Sequence, residues 1–262
     1  MRLPYAKHVW ARYPVGSVDN KVEYGIYPYP HYAYGVYWSA QLAARLGIAR
    51  ITAIELGVAG GRGLLALETA AAEISAALDV TIDVVGFDAG VGMPAPTDYR
   101  DLPHIWGEGF YKMDETKLRA KLRNAQLVLG DVTRTLPEWL STHPAPMGFI
   151  AFDLDYYSST KAALKIFDGP PSTHLPRVHC FLDDLCCTNI GVMNPYVGEY
   201  LALNEFNAEH SDRKICKIEQ LRANRFRWEP WQDRMYAFHN FSHELYTRHV
   251  LPTGPTYTQL PI

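Results

Sequence analysis

Apolar positions along the chain alternate between two rhythms. From Tyr34 to Leu46 they recur at three- and four-residue spacing (Val36, Ala40, Leu42, Ala43, Leu46), which predicts a helix that Gly47 ends. Ile51–Leu56 is then a short β-rich run, followed at once by the glycine turn Gly57-Val-Ala-Gly-Gly-Arg-Gly63 and an alanine-rich helical stretch from Leu64 to Leu78. Thr81–Phe87 predicts the next strand, ending at Asp88. The alternation continues with strands at Ala125–Leu129, Phe149–Phe152 and Val178–Leu182. Helices are expected around Leu136–Ser141, from Lys161 to Phe167 behind a Ser158-Ser159-Thr160 cap, and from Val197 to His210. Further strands are expected near Lys214–Ile218 and Met235–Phe238. Strands alternating with helices predict a Rossmann-like, doubly wound, mostly parallel seven-stranded α/β sheet with helices on both faces.

Residues 1–33 break this rhythm. Eight of the 17 tyrosines precede Trp38, interleaved with prolines in Tyr27-Pro28-Tyr29-Pro30-His31-Tyr32. Prolines oppose regular helix and central strand, so an irregular aromatic arm is expected, packed on the domain or lying over a pocket as a lid. No linker or repeat divides the remainder, and residues 34–262 read as one core.

Composition excludes several classes. Hydrophobic residues make up 48% and charged residues 20%, which opposes disorder. A net charge of -3 gives no sign of a nucleic-acid surface. No apolar run reaches the length of a membrane span, and the start shows no signal-peptide stretch. The four cysteines (Cys180, Cys186, Cys187, Cys216) form no C-x-x-C pair, and a cytoplasmic protein with reduced, mostly buried thiols is expected.

Candidate chemistry sits at strand ends. Glycines after the first strand let backbone approach a ligand, and the next helix offers free N–H groups. The turn lacks the Gly-Lys-Ser/Thr ending of a P-loop, and Ala59 breaks the plain dinucleotide fingerprint. Asp88 is placed either to hold a ribose diol or to serve its own turn. Asp131 either approaches an adenine amino group or caps the helix near Thr133. Asp153 and Asp155 end one strand, and Asp183 and Asp184 end the next long one. If those strands are neighbours, the carboxylates converge and repel, which a divalent cation relieves; oxygen-only ligands suit Mg²⁺, Ca²⁺ or Mn²⁺. The bland alternative gives each aspartate a separate cap. His239 or His243 becomes a base only if the tail folds over the site, whereas His179 reads as core. Trp106, Trp228 and Trp231 read as packing before pocket. Arg222, Arg225, Arg227 and Arg234 read as a solvated face before an anion site.

Four stretches carry a resemblance. They are Glu55-Leu-Gly-Val-Ala-Gly-Gly-Arg-Gly63, Gly86-Phe-Asp-Ala-Gly-Val-Gly-Met-Pro94, Gly130-Asp-Val-Thr-Arg-Thr-Leu-Pro137 and Ala151-Phe-Asp-Leu-Asp-Tyr-Tyr-Ser-Ser-Thr160, with the later Asp183-Asp184. Together they resemble the class I S-adenosylmethionine-dependent methyltransferases, and among these the macrocin O-methyltransferase (TylF-like) family, whose members methylate sugar hydroxyls of natural products. The second to fourth stretches are similar to its "FDSFEGLP", "GWFxDTLP" and "DxDLYxST" segments, although Ala89-Gly90-Val91 replaces Ser-Phe-Glu. The resemblance implies Mg²⁺-assisted methyl transfer to a small-molecule hydroxyl. Glu55, Gly57, Ala59, Gly61, Asp88, Asp131 and Asp153 would form the cofactor contacts, with Glu55 and Gly57 at its amino-acid end. Asp153, Asp183 and Asp184 would hold the metal, and Asp155 would be the general base. Fold and cofactor motifs do not settle chemistry, so a hydroxylase-like enzyme and a non-catalytic cofactor-binding scaffold stay open. Exposed aromatics in the arm would serve a homodimer as readily as a lid.

Overall fold

A computed structural model describes residues 6–13, 15–185, 190–223 and 228–251. Cys186, Cys187, Arg225 and Arg227 lie outside the described residues. In chain order the elements are helices α1 (Ala6–Arg12), α2 (Val18–Glu23) and α3 (Pro30–Leu46), strand β1 (Arg50–Leu56), helix α4 (Arg62–Leu78) and strand β2 (Thr81–Asp88). Next come α5 (Glu115–Arg119), β3 (Gln126–Leu129), α6 (Val132–Leu140), β4 (Met147–Phe152), α7 (Tyr157–Ala163) and β5 (His174–Leu182). The last are α8 (Gly198–Glu209), β6 (Arg213–Lys217), α9 (Gln220–Ala223) and β7 (Met235–Asn240).

The seven strands form one sheet in the order β3-β2-β1-β4-β5-β7-β6. The pairs from β3 to β5 are parallel, while β7 runs antiparallel to both β5 and β6. This is the expected doubly wound sheet, and its strand order reverses between β1 and β4, where such sheets bind ligands. Strand β4 is buried at every position, as a central parallel strand must be. The core is aromatic: Phe167 and Phe238 stack at 3.9 Å, and Phe149 lies so close to α3 that a Cβ on Gly35 would sit 2.2 Å from its ring. No helix among the described residues is long and apolar enough to cross a membrane.

Three local expectations change. The segment read as an irregular arm holds α1 and α2, and α3 starts at Pro30 instead of Tyr34. Pro30 occupies the first helical turn, where a missing N–H leaves no bond unmade. The Ser158-Ser159-Thr160 stretch does not precede a helix but lies inside the first turn of α7. The capping carboxylate comes instead from Asp101, which accepts from the Ser158 backbone N–H at 2.8 Å and its hydroxyl at 3.0 Å. Finally, Cys180 is buried as expected, but Cys216 is exposed on the edge strand.

Candidate active site

Sheet register builds the site. Leu56 of β1 pairs with Phe87 of β2 and Phe152 of β4, and Phe152 pairs with Leu182 of β5. The next residue along each strand therefore lies on one rim: Asp88, Gly57, Asp153 and Asp183. The ladder continues into this rim, since the Gly57 N–H donates to the Phe87 carbonyl and the Asp153 N–H to the Leu56 carbonyl, both at 2.9 Å. Glycine is required at position 57. Its φ is +90°, and a Cβ there would lie 1.8 Å from the Asp153 carbonyl oxygen, whereas Gly60 faces open space. Gly57→Ala is therefore expected to lower stability by about 2 kcal/mol or more. Gly60→Ala should stay within about 0.5 kcal/mol of wild type in the same denaturant titration.

A cavity of 1120 Å³ opens above this rim. Its walls include Gly57, Ala59, Asp88 and Asp131 at one end and Asp153, Asp155, Asp183 and Asp184 at the other. The volume slightly exceeds that of a common single-ligand pocket, leaving room for a cofactor and an acceptor together. Glu55 and Gly61 do not line it. Glu55 is buried beneath the turn, where Tyr32 of α3 donates to its Oε1 at 2.7 Å, while its Oε2 has no hydrogen-bond partner. Burial holds its carboxyl well above the usual range, with the Tyr32 bond opposing. A Cβ on Gly63 would meet that same Oε1 at 1.8 Å, so this glycine makes room for the acid. Gly61 begins α4 in the left-handed region at φ 82°, against Leu118.

Asp88 organises the turn it follows. Its Oδ2 accepts from the backbone N–H groups of Val58 (2.9 Å) and Ala59 (2.8 Å), and its Oδ1 from Gly90 (2.6 Å). The turn reading of Asp88 is thus seen directly, and its place in the cavity wall leaves remaining lone pairs for a ligand. Asp131 caps α6, accepting from the Thr133 N–H at 2.8 Å and hydroxyl at 2.7 Å, and these bonds hold its pKa below the usual value.

The acidic end is a linked cluster. One oxygen each from Asp153, Asp183 and Asp184 lies within 4.8 Å of the others. Asp155, in the left-handed region at φ 59°, points its N–H at Asp184 Oδ2 (2.8 Å). Burial raises the pKa of all four aspartates, Asp153 further by Asp183 and Asp155, and Asp184 further by Glu199. Glu199, at the start of α8, is fully buried. It accepts from the Asp184 N–H at 3.0 Å through Oε2, and its Oε1 is without a partner. Carboxylates packed this closely, with one arginine among them, fit a hard divalent cation: the donor set is all oxygen, and the spacing suits ligands around one ion.

Sequence reasoning missed several contributors. The segment after β2 folds back on itself as a flap, closed by Met93 N–H to Phe110 carbonyl and Gly109 N–H to Met93 carbonyl bonds, each 2.8 Å. It carries Trp106 and Tyr111 into the cavity wall, 6.0 Å apart, so Trp106 belongs to the pocket and not to packing alone. The Trp106 indole N–H is buried without a partner. Asp101, which is buried, ties this flap to α7 through Thr97 and Ser158. The arginine reading is corrected at one position. Arg222 is exposed, but Arg234 is mostly buried and donates to Asp183 Oδ1 at 2.5 Å. The tail does not bring a histidine to the site. His239 pairs with Arg177, four residues before Phe181 on β5 and so toward the opposite end of the sheet, and His243 is buried beside His174 there. His179 is partly buried on β5, away from the cavity, with its ring 3.0 Å from the Ser39 hydroxyl. Trp231 is buried beside His31 and Tyr34, while Trp228 lies at the surface with its N–H on Asp233.

A crystal structure of CalS11, a calicheamicin methyltransferase, superposes with a TM-score of 0.52 over 91% of this chain and 94% of that chain, at 19% identity. The chain has the fold of the class I methyltransferases. An apo structure of CalS11, described as a TDP-rhamnose 3'-O-methyltransferase, gives 0.45 at 19% identity, covering 89% of this chain and 90% of that one. An O-methyltransferase from Bacillus cereus bound to S-adenosylhomocysteine gives 0.39 at 13% identity, covering 78% of each chain. No protein-family model and no curated protein sequence matches. In this fold the glycine turn after β1 and the acid ending β2 face the point where strand order reverses, which is where the cavity lies here.

Proposed function

We propose that the protein transfers a methyl group from S-adenosylmethionine to a hydroxyl of a small natural-product or sugar-type molecule, assisted by a divalent cation such as Mg²⁺. One observation carries the reading: a single cavity joins the glycine turn and Asp88 to the Asp153/Asp183/Asp184 cluster, with Asp155 beside it. The structural relative, itself described as a calicheamicin methyltransferase, agrees with this reaction class.

The division of labour follows from position. Gly57 would border the amino-acid end of the cofactor, Asp88 and Asp131 would hold its nucleoside half, and Asp153 would reach both ligands from the middle of the rim. Asp153, Asp183 and Asp184 would hold the cation. When bound, the sulfonium supplies an activated methyl and the cation lowers the pKa of the acceptor hydroxyl. The protein's remaining tasks are alignment and one proton. Asp155 takes that proton. Its backbone is pinned by Asp184, and cation binding beside it would favour the carboxylate form needed in a base. Trp106 and Tyr111 would close the acceptor side of the cavity against water.

Thermal unfolding tests the cofactor and metal together. S-adenosylhomocysteine at about 100 times its dissociation constant should add about 2.7 kcal/mol of stability by mass action. Mg²⁺ should add a further increment that Asp184→Ala loses. Absence of any shift with the nucleoside would sink the methyltransferase reading. A nucleoside shift without a Mg²⁺ increment would leave methyl transfer but remove the metal. Formation of S-adenosylhomocysteine with a hydroxylated acceptor then separates methyl transfer from hydroxylation on the same fold.

A further inference from the structure

We infer that Arg234 is the resident counter-charge of the carboxylate cluster and holds its affinity for a divalent cation down, so that the ion stays exchangeable. This rests on the metal reading above. Arg234 closes the short helical turn Pro230–Arg234 that leads into β7, so the tail delivers it from 51 residues beyond its partner. Its Nη1 donates both to the Asp183 carbonyl oxygen (2.9 Å) and to Asp183 Oδ1 (2.5 Å). The guanidinium lies over the Phe181 ring at 5.1 Å, and His31 and Tyr32 flank that ring at 4.1 and 6.1 Å between centroids. Its side chain is 21% exposed, and its Nε is buried without a hydrogen-bond partner. It does not line the cavity. Arg234 is therefore a positioning residue: it touches the cluster at Asp183, and its charge acts through space on Asp153 as well.

Two effects on cation binding oppose each other. The two bonds from Nη1 hold the Asp183 side chain in one rotamer, which favours binding. A fixed positive charge one carboxylate away from the ion repels it, which disfavours binding. Aspartate has few rotamers, so the ordering gain is small. The repulsion acts at short range in a poorly solvated place and falls only as the inverse of distance. The charge effect is the larger, and removing Arg234 should tighten binding.

The probe is Mn²⁺ alone, followed by the electron paramagnetic resonance signal of the free ion during titration of the full chain. Arg234→Gln should bind Mn²⁺ at least about tenfold more tightly than wild type. Arg234→Lys, which keeps the charge but loses the planar fork, should stay within about threefold of wild type. A purely structural role would weaken both variants. Binding by Arg234→Gln that is equal to or weaker than wild type overturns the inference while leaving the metal reading intact. Should the Gln variant fail to fold by thermal melt, Arg234→Lys decides alone: a loss of about tenfold or more means that the hydrogen bonds to Asp183, not the charge, are what matters, and overturns the inference. Wild-type protein that binds no Mn²⁺ overturns the metal reading itself, and this inference with it.

Discussion

Replacing Asp155 with asparagine is expected to lower methyl transfer by about 10²–10⁴-fold at saturating S-adenosylmethionine and Mg²⁺, the usual contribution of a positioned proton acceptor. The substitution removes the base and little else. Asparagine tolerates the left-handed backbone that residue 155 adopts at φ 59°, so the loop keeps its path. The bond to Asp184 Oδ2 comes from the backbone N–H and survives. The glycine turn and Asp88 lie at the other end of the cavity, so the dissociation constant for S-adenosylhomocysteine should change by less than about threefold, read by calorimetry. Alanine is a poorer test, because it also strains the backbone at positive φ. Wild-type turnover in the asparagine variant would remove Asp155 as the base, and a matching loss of nucleoside affinity would mean that the rim had collapsed.

The second large effect concerns pH and metal. Asp153, Asp155, Asp183, Asp184 and Glu199 all have folded pKa values raised by burial, and Asp184 is raised further by Glu199. A carboxyl with a raised folded pKa keeps its proton longer in the folded state. Its stabilising contribution is complete below the unfolded value, near pH 4, and is lost as pH rises through the folded value. Metal-free protein should therefore lose stability as pH rises from about 4 through the Asp155 value of about 6 and the Asp153 value of about 8. Three histidines, His174 buried and His31 and His179 partly so, oppose this on the acid side. Burial lowers His31 to about 3 and His174 and His179 to about 4. Their contribution is present above the unfolded value of about 6.5 and is lost as pH falls toward the folded values. The metal-free optimum should thus lie on the acid side of neutrality. Mg²⁺ competes with protons for the cluster, so its stabilisation should grow with pH. Each proton released per pH unit is worth about 1.4 kcal/mol, or roughly 2–4 °C in Tm for a domain approaching this size. Melting curves in chelator and in Mg²⁺ should diverge by at least that amount between about pH 6 and about pH 8.5. Parallel curves would mean that the cluster does not hold the ion.

Much of this was legible in local pattern. The strands β1, β2, β4 and β5, the glycine turn and the acids at strand ends follow from apolar runs bounded by turn residues. The backbone of such a segment has few alternatives once its period is set. The expected convergence of Asp153 with Asp183 depended on β4 and β5 being neighbours, and they are. The flap behind Ala89-Gly90-Val91 was not legible. Its closure depends on two backbone bonds between Met93 and the 109–110 pair, which leave no periodic signature. The start of α3 at Pro30 departs from the sequence pattern because proline breaks helices everywhere except in their first turn.

By itself, then, the sequence determined the order of elements, the parallel sheet and the short-range chemistry: a glycine where φ is +90°, an acid after each of three strands. These depend on neighbours a few residues away. Tertiary structure decided which charges meet. Arg234 reaches Asp183 across 51 residues, Asp101 reaches Ser158 across 57, and Glu199 reaches the Asp184 N–H across 15. It also turned His239 and His243 away from the rim, because β7 runs antiparallel to β5 and carries its end toward the opposite edge of the core. The physical reason is range. Backbone preference and side-chain period act over a few residues and are written locally, whereas desolvation and Coulomb coupling act through space and exist only once the sheet has set its register.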